Sequence, residues 1–433
     1  MSLKRFLVGT FLLGLTLVGA SCRPTSEQKS EGASGRQAKT VTVAQTGQAD
    51  VIGSDNVALQ KAADMLRVGD MLMIGPGTYR MDNSLFVPSG VTVRGTAGQT
   101  ILRKSSGAES QLSDDGDYGE NQLTVADPQK FRAGMGVSVV DNTLNSGWDI
   151  SVTTITAVSG NILHINPMTL RDYSVEPLHA RVRTTFPILC AIETENVVFE
   201  DLIVDGNKDE NSYIDGCRGG AIYLYQSRNA KIRNCIARNY NGDGISFQIT
   251  DNVQVLNCES YGHTGYGVHP GTGSPHALVK GCRLHDNRQI GLFLCWRVRN
   301  GRFEDNVINR NGQYGISIGH KDTDNLFVNN TISGNGIAGV YLREESVKNS
   351  GHRNTFKDNK ISNNGDTKAG YGFLIRPHAG KILIANNQIA ETRSGKDRTQ
   401  RYGVYKALGA GSILLQNNSM QGHIEADFHE VKD

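Results

Sequence analysis

The residues best suited to chemistry in this sequence recur at a fixed interval. Trp296, His320 and Glu344 are each 24 residues apart (320 − 296 and 344 − 320), and Arg343 adjoins the last. An indole can stack on a sugar ring, an imidazole and a carboxylate can move protons, and a guanidinium binds a carboxylate through two parallel hydrogen bonds. If these side chains share one surface, they predict a site for an acidic sugar. The alternative is a row of surface residues that pair for stability.

His269 is a second candidate, because it precedes the irregular run Pro270-Gly271-Thr272-Gly273-Ser274-Pro275-His276. Irregular coils often carry functional residues, although a lone histidine can equally be a satisfied turn residue. Asp322 and Asp324 follow His320 and could ligate a metal with Glu344, or form an Asx turn. Further residues predicted on the same face, Tyr341 as a proton donor and the others for substrate binding, are Tyr341, Tyr223, Tyr225, Lys321, Asp322 and Arg376.

These residues lie in a repeat that runs from Ile222 to Tyr405. A small residue, an apolar residue, a variable residue and often a second apolar residue recur, as in Gly244-Ile245-Ser246-Phe247. The first apolar residues stand at 222, 245, 268, 292, 316, 340, 373 and 404, so the steps are 23, 23, 24, 24, 24, 33 and 31 residues. This period predicts a solenoid, and the short alternating runs predict strands. We therefore expect an all-β chain in which each repeat is one coil of a parallel β-helix.

A second column of residues supports this register. Cysteine and then asparagine recur at a similar offset after a strand, which predicts an inward ladder of side chains that bond along the axis. Its members are Cys235, Cys258, Cys282, Asn306, Asn330, Asn359, Asn387 and Asn418. The three cysteines are interpreted as small structural fillers of the ladder.

Residues 1–22 are predicted to be a lipoprotein-type signal peptide. Lys4 and Arg5 precede the uncharged apolar run Phe6–Val18, which is too short to span a bilayer. Gly19-Ala20-Ser21-Cys22 resembles a bacterial lipobox and predicts a lipid on Cys22, whereas Val18-Gly19-Ala20 also fits ordinary signal cleavage. We expect an exported protein that is lipid-anchored in the bacterial cell envelope, or alternatively periplasmic or secreted.

The remaining chain divides by composition and period. Residues 23–50 are polar and predict a flexible linker. Residues 51–107 predict a capping helix, begun by Asp55, and the first coils. Residues 108–186 break the period and predict a small β insertion, whose acidic loop Asp114–Asp117 could bind Ca²⁺ or form an exposed hydrophilic turn. The coils are then expected over 187–420 and a C-terminal tail over 421–433.

Composition narrows the function further. The chain has 433 residues and a net charge of +2, so there is no electrostatic reason to expect nucleic acid as a partner. Fifty glycines suit many short strands joined by tight turns. Seven cysteines, of which one is predicted to be lipidated and three lie in the ladder, do not indicate a disulfide scaffold. We expect a monomer that meets the membrane only through its anchor.

The period, the ladder and the sequence Gly75-Pro76-Gly77-Thr78-Tyr79 resemble the right-handed parallel β-helix proteins of the pectate-lyase-like superfamily, over about residues 51–107 and 187–420. That superfamily includes lyases, hydrolases and epimerases of uronic-acid polymers. Tyr266-Gly267-Val268-His269-Pro270 resembles part of the epimerase motif Tyr-Gly-X-Asp-Pro-His-Asp, with His269 in place of the first Asp and Gly271-Thr272 in place of the His-Asp. The polygalacturonase Gly-His-Gly motif is absent, since Lys321 follows Gly319-His320.

The resemblance implies a polysaccharide-active enzyme, and we expect a lyase that acts by β-elimination on a uronic-acid-containing polymer. Arg343, with Arg376, would neutralise the uronate, His320 or His269 would be the base, and Tyr341 or the other histidine the acid. A glycoside hydrolase that uses Glu344 with Asp322 or Asp324, or an epimerase, is the enzymatic alternative. A carbohydrate-binding or structural surface lipoprotein is the non-enzymatic one, because the fold hosts all of these.

Overall fold

Three long parallel sheets carry the repeat, with one strand of each sheet in every regular coil. The structure is a computed structural model that describes residues 36–143 and 147–432. Within those ranges sheets A, B and C contain 13, 11 and 11 strands, and an antiparallel sheet D contains 6. The predicted parallel β-helix with an inserted β module is therefore confirmed.

The strands follow one another along the axis in a regular order. Sheet A runs through Val51–Ile52, Thr40–Ala44, Met71–Ile74, Thr92–Arg94, Val198–Glu200, Lys231–Arg233, Gln254–Leu256, Leu278–Lys280, Arg302–Glu304, Leu326–Val328, Thr355–Lys357, Ile382–Ala385 and Ile413–Gln416. Sheet B runs through Gly77–Met81, Thr100–Lys104, Ile203–Asp205, Ile236–Arg238, Glu259–Tyr261, Arg283–His285, Val307–Asn309, Thr331–Ser333, Lys360–Ser362, Gln388–Ala390 and Ser419–Gln421.

Sheet C contains the repeated sequence pattern in which a small residue is followed by an apolar, a variable and often a second apolar residue. It runs through Leu85–Phe86, Leu189–Ile192, Ile222–Tyr225, Ile245–Gln248, Val268–Pro270, Ile290–Phe293, Tyr314–Ile318, Ala338–Leu342, Tyr371–Ile375, Tyr402–Lys406 and Ala426–Glu430. Sheet D consists of Glu109–Gln111, Arg181–Arg183, Gly136–Val140, Ser151–Ser159, Ile162–Asn166 and Gln122–Thr124. Short 3₁₀ turns lie at Pro128–Lys130, Gly147–Asp149, Lys208–Glu210 and Gly395–Asp397.

The inward column of sheet C has the register that the spacing predicts. Ile245 pairs with Val268, Val268 with Leu292 and Leu292 with Ile316, and all four side chains are fully buried. A parallel strand pair places equivalent residues one above another at about 4.8 Å, so each coil covers the apolar face of the one before it. The core is therefore continuous along the axis.

The polar ladder is also present. The Asn306 side chain donates to Asn330 Oδ1 over 2.9 Å and to the carbonyl of Val279, and the same bonds repeat at Asn330 and Asn359. Cys282 joins the ladder through its backbone N–H, which donates to Asn306 Oδ1. A second ladder, which the sequence analysis did not identify, comprises Asn287, Asn311, Asn335, Asn364 and Gln400.

The N-terminal boundary differs from the prediction. Thr40–Ala44, expected in the flexible linker, is a strand that pairs with Met71–Ile74, because Val41 and Val43 bury their side chains in the core. The folded unit begins at Ala38. Asp55 caps the helix Asn56–Ala63, as predicted, and its carboxylate accepts from Ala58 N–H. That this helix covers the open end of the solenoid stays a prediction.

Two other boundaries can be compared. Sheet D occupies residues 109–183, within the predicted insertion of 108–186. The predicted tail of 421–433 is partly wrong, since Ala426–Glu430 forms the last strand of sheet C beside Tyr402–Lys406. The signal peptide and Cys22 lie outside the described residues. Among the residues described, no helix is both long enough and apolar enough to span a membrane.

Candidate functional site

The predicted stack of Trp296, His320 and Glu344 is correct for its first two members. The indole of Trp296 lies face to face with the His320 ring, with centroids 4.6 Å apart, and Trp296 is 48% exposed. The carboxylate beside His320 is that of Glu345, at 3.2 Å from Nδ1, and not that of Glu344. The chain leaves sheet C after Leu342 into a longer loop, so the 24-residue register no longer applies. Glu344 instead pairs with Arg376 at the surface.

Arg343 points along the sheet rather than out beside His320. Its guanidinium donates to Ser317 Oγ and to the carbonyl of Leu294, each over 2.8 Å, and lies 4.6 Å from the centroid of the Phe293 ring. A Cβ on Gly319 would overlap this guanidinium, so the glycine makes room for Arg343. Arg343 nevertheless keeps 18% of its side chain exposed. A cation held this firmly is suited to receive an anionic group.

Asp322 is not the surface ligand that the sequence predicted. It is fully buried, and its carboxylate accepts from the backbone N–H groups of Gly319 and Val298. Burial raises the pKa of Asp322, while Arg343 at 3.4 Å opposes that rise. Asp324 lies at the surface in an ion pair with Arg353. The carboxyl groups near Lys321 are therefore structural, which agrees with the alternative of a coil-corner turn.

His269 lies in the outward column of sheet C but is only 2% exposed. Its Nδ1 is 2.7 Å from Oδ2 of Asp243, one coil before it. Oδ1 of Asp243 accepts from the backbone N–H of Tyr266 over 2.8 Å. The backbone at Gly216 covers the pair so closely that a Cβ there would overlap both side chains. The expectation that His269 is an exposed base is therefore wrong.

The Asp243–His269 pair holds its proton on the imidazole. Burial alone would lower the pKa of His269, but the hydrogen bond to Asp243 and the neighbouring Cys295 thiol raise it to about 10. Burial raises the pKa of Asp243, and the bond from His269 opposes that rise. We assign the charge to the ion pair because both oxygens of Asp243 accept N–H donors, which favours the carboxylate. His269 is thus a buried cation at neutral pH.

Phe293 joins this pair to Arg343. The Tyr266 ring stacks on Phe293 at 4.2 Å, and the His269 ring meets its edge at 5.1 Å. The backbone N–H of Cys295 donates to the carbonyl of Pro270, the residue after His269, over 3.0 Å. We call the six residues Asp243, Tyr266, His269, Phe293, Cys295 and Arg343 the central cluster. It combines two cations, a phenol and a partly exposed thiol on the outward side of sheet C.

The sequence analysis selected His269 and Arg343 as site residues and missed the other four members of this cluster, Asp243, Tyr266, Phe293 and Cys295. Two of them, Asp243 and Tyr266, could have been found from the sequence. Each directly precedes a glycine of the repeat, and the residues at that position form an outward column. It reads Asp243, Tyr266, Ile290, Tyr314, Ala338, Tyr371 and Tyr402. Its mixture of a carboxylate and aromatic residues is unusual for a purely structural column. Cys295 had no comparable signal, since its neighbours in the column vary.

Aromatic side chains follow the outward face of sheet C over most of its length. We call this set the aromatic row: Tyr223, Tyr225, Tyr266, Phe293, Tyr314, Tyr341, Tyr371, Tyr402, Tyr405 and His429. Tyr314 stacks on Tyr341 at 4.3 Å, and Tyr371 on Tyr402 at 5.7 Å. The row spans roughly 38 Å, because it crosses eight strand-to-strand steps of about 4.8 Å. The central cluster lies within it.

The first two tyrosines of the row border sheet D. Tyr223 is buried and donates to the carbonyl of Cys217, whereas Tyr225 is half-buried and contacts the Trp148 ring at 6.1 Å. Arg218 lies over the rings of Trp148 and Tyr225. Beside them is a largely apolar cavity of about 470 Å³, lined in part by Phe86, Val152 and Met168. The insertion thus forms a wall beside this end of the row.

Calcium at the acidic loop stays a prediction. Oδ1 of Asp115 accepts from the backbone N–H of Val175, and Oδ1 of Asp114 accepts from Asp115 N–H. Within residues 36–143 and 147–432, no group of three or more His, Cys, Asp or Glu side chains is placed to hold a metal ion. The described carboxylates at this loop therefore support a turn.

Comparison with known proteins identifies the fold. The family model of the right-handed β-helix region matches residues 202–356. None of the curated protein sequences matches the chain significantly. The A-module of a mannuronan C-5 epimerase from Azotobacter vinelandii is a similar solved structure, with 15% identity, a TM-score of 0.52, and coverage of 87% of this chain and 95% of that one.

Two other solved structures are similar over most of this chain. The Dettilon tailspike protein has 13% identity and a TM-score of 0.54, with 86% of this chain and 64% of that chain covered. PfbA, a surface adhesin of Streptococcus pneumoniae, has 13% identity and a TM-score of 0.51, with 86% and 89% covered. At this level of identity the likeness establishes architecture alone. The chain therefore has the right-handed parallel β-helix fold that these proteins share.

Proposed function

We propose that this protein is a polysaccharide-active enzyme that binds a uronic-acid polymer along the aromatic row and cleaves it by β-elimination at the central cluster. The observation that carries the proposal is the position of Arg343, a rigidly held cation beside Phe293 and inside a long row of aromatic rings. An extended polymer needs an extended surface, and aromatic faces are suited to sugar rings. A uronate also needs a cation where the carboxylate lies.

Elimination requires neutralisation of the carboxylate, a base for the C5 proton and an acid for the leaving O4. Arg343 serves the first need. Of its five N–H groups, three donate to protein acceptors among the described residues, and the Nε–H and one Nη1–H remain, either of which can donate to a substrate carboxylate. Tyr266 serves the third, because burial raises the pKa of its phenol and keeps it protonated at neutral pH. His269 is not the base, since it is buried and already protonated.

Trp296, Tyr341 and Arg376 suit substrate binding, whereas Tyr223 is buried. Trp296 offers an exposed ring backed by His320, which is appropriate for a sugar subsite next to Cys295. Tyr341 stacks on Tyr314 and lies in the same coil as Arg343 and one coil from His320, so it belongs to the row rather than to the proton transfer. Arg376 with Glu344 extends the polar edge of the same face.

The similar epimerase is named for reaction at C5 of mannuronan. Epimerisation and elimination both begin with removal of the C5 proton of a uronate, so its activity agrees with the proposal. The hydrolase alternative has lost its support, because Asp322 is fully buried and Asp324 is paired with Arg353. A protein that only binds glycans is the second candidate, favoured by the length of the aromatic row.

The test is incubation with a panel of uronic-acid and neutral glycans. Unsaturated products, detected by the ultraviolet absorbance of the new C4=C5 bond, are expected only with uronic-acid polymers. Tyr266→Phe should abolish them, whereas the matched control Tyr261→Phe, on sheet B beside His285, should not. New reducing ends without absorbance would identify a hydrolase. Binding without either product would establish the second candidate.

We further propose that the enzyme works from the cell envelope, held by a lipid on Cys22. This follows from the sequence Gly19-Ala20-Ser21-Cys22 and the apolar run before it. Metabolic labelling with palmitate should tag the wild type but not Cys22→Ser. If both proteins remain unlabelled and soluble, ordinary cleavage after Ala20 is the correct account.

A further inference from the structure

The proposed elimination assigns roles to Arg343 and Tyr266 of the central cluster but none to the thiol of Cys295. Cys295 is partly exposed, follows Leu294 at the end of a sheet C segment and directly precedes the exposed Trp296. Its backbone hydrogen bond to Pro270 places it beside His269 on the adjacent coil. Arg343 donates to the carbonyl of Leu294, so a guanidinium lies on its other side. The segment that carries this thiol therefore lies between the imidazole of His269 and the guanidinium of Arg343.

The buried imidazole supplies a second, independent observation. Nδ1 of His269 is bound to Asp243, but Nε2 is buried and has no hydrogen-bond partner within the described chain. An unsatisfied buried polar atom is costly and calls for an explanation. Cys295 lies on the coil next to His269, since its backbone N–H donates to the carbonyl of Pro270, and its thiol contributes to the raised pKa of His269. The three side chains Asp243, His269 and Cys295 thus come from three successive coils, in the order carboxylate, imidazole and thiol.

Resting on the proposed elimination, we propose that Cys295 is the base that removes the C5 proton, and that its substrates are uronates whose C5 hydrogen and C4 oxygen lie on one face of the ring. His269 and Asp243 are positioning residues, because the buried Nε2–H of His269 is free to donate to the Cys295 sulfur without touching the sugar. In many enzymes a reactive side chain is activated by an adjacent imidazole, which a carboxylate in turn orients.

The proposed elimination balances in protons and electrons without a co-reactant. The thiolate takes the proton from C5, and the electron pair of the broken C5–H bond forms the C4=C5 double bond. The C4–O4 bond breaks as the Tyr266 hydroxyl gives its proton to O4. The thiol of Cys295 then returns a proton to the phenolate of Tyr266, directly or through water, and both groups are restored.

The geometry also selects the stereochemistry. Cys295 and Tyr266 both belong to the outward side of sheet C, so both reach a bound sugar from beneath. The proton and the leaving oxygen must therefore lie on the same face of the ring. They do so in uronates of gluco or manno configuration, whereas they lie on opposite faces in galacturonate and guluronate. We expect cleavage of glucuronan or mannuronan, and none of galacturonan.

Two measurements test this proposal. In the first, Cys295→Ala should reduce formation of unsaturated product at least a hundredfold, and Cys295→Ser should not restore it, because a hydroxyl is a far weaker acid than a thiol. The matched control is Cys217→Ser, another partly exposed thiol, whose pKa is raised by burial. A fully active Cys295→Ala would overturn the proposal, and so would preference for galacturonan.

The second measurement does not depend on turnover. Iodoacetamide at pH 7, followed by peptide mass spectrometry, should label Cys295 faster than Cys217, and His269→Gln should slow the labelling of Cys295 at least tenfold and move its onset to higher pH. Labelling unaffected by His269→Gln would overturn the assignment of the thiolate. If the wild type cleaves no uronan, the proposed function and the role of Cys295 as base both fail, and the labelling still decides whether the thiolate exists.

Discussion

Nδ1 of His269 lies 2.7 Å from Oδ2 of Asp243, and both side chains are almost wholly buried on what is otherwise the outward face of sheet C. The segment that contains Gly216 covers them and excludes solvent. A protonated imidazole is held there by its carboxylate, which gives the stability of the protein a defined dependence on pH.

The stability that His269 contributes should fall as pH rises from about 6.5 to about 10. The folded-state pKa of His269 is raised from 6.5 to about 10, so the folded state retains a proton that the unfolded chain has lost. The contribution is fully present below the unfolded pKa and decreases by about 1.4 kcal/mol per pH unit across this window. Urea unfolding at pH 6.5, 8 and 9.5 measures it.

The comparison must be made against His269→Gln, because Lys104 acts in the opposite direction. Burial lowers the pKa of Lys104 to about 7, so its contribution makes the folded state more stable as pH rises toward 10.5. The difference between wild type and His269→Gln removes this effect. A difference that stays constant with pH would show that His269 is not protonated in the folded state.

Arg343→Lys should lower kcat/KM on the order of 100-fold, because an ammonium group cannot keep the contacts with Ser317, Leu294 and Phe293 and still donate to a substrate carboxylate. Steady-state kinetics on the best uronan measures the loss. Arg353→Lys, which alters a surface ion pair with Asp324, is the matched control and should retain activity. Equal effects of the two substitutions would remove Arg343 from the site.

Trp296→Ala should raise KM more than it lowers kcat, since stacking on a sugar acts mainly in the ground state. The side chain is 48% exposed and contacts His320, so its loss should change the thermal midpoint little. Tyr118→Ala, which removes an exposed aromatic residue from the insertion, serves as control. A fall in kcat with unchanged KM would place Trp296 in the chemical step.

Asn330→Ala should destabilise the fold by about 1–3 kcal/mol, because it removes the acceptor of the buried backbone and side-chain N–H groups of Asn306 and the side-chain donor to the carbonyl of Phe303. Chemical denaturation measures the change. Lys231→Ala, on an exposed position of sheet A, should have almost no effect. A similarly small effect at Asn330 would mean that water replaces the ladder.

The fold could be predicted because a coil repeats a local pattern. Ile245, Val268, Leu292 and Ile316 recur at nearly equal spacing, and equal spacing gives one inward column. The N-terminal strand Thr40–Ala44 was missed because it adds only two buried valines to a polar segment. The last strand, Ala426–Glu430, was missed because most of its residues remain exposed.

The site was only partly predictable, since spacing shows which residues share a column but not what covers them. His269 was correctly placed on the outward side, yet the segment around Gly216, more than 50 residues earlier, buries it. Arg343 was correctly selected, but its direction depends on Gly319 and Ser317 in the preceding coil. Glu345, rather than Glu344, contacts His320 because the loop after Leu342 breaks the 24-residue period.

The stacking of coils along sheet C makes the solenoid a molecular ruler. Each coil advances the surface by about 4.8 Å, close to the length that one sugar occupies in an extended chain. Tyr371, Tyr402 and His429 therefore mark successive divisions beyond Arg343. Adding or deleting one terminal repeat would lengthen or shorten the aromatic row, and with it the glycan segment that is proposed to bind there, without changing the central cluster.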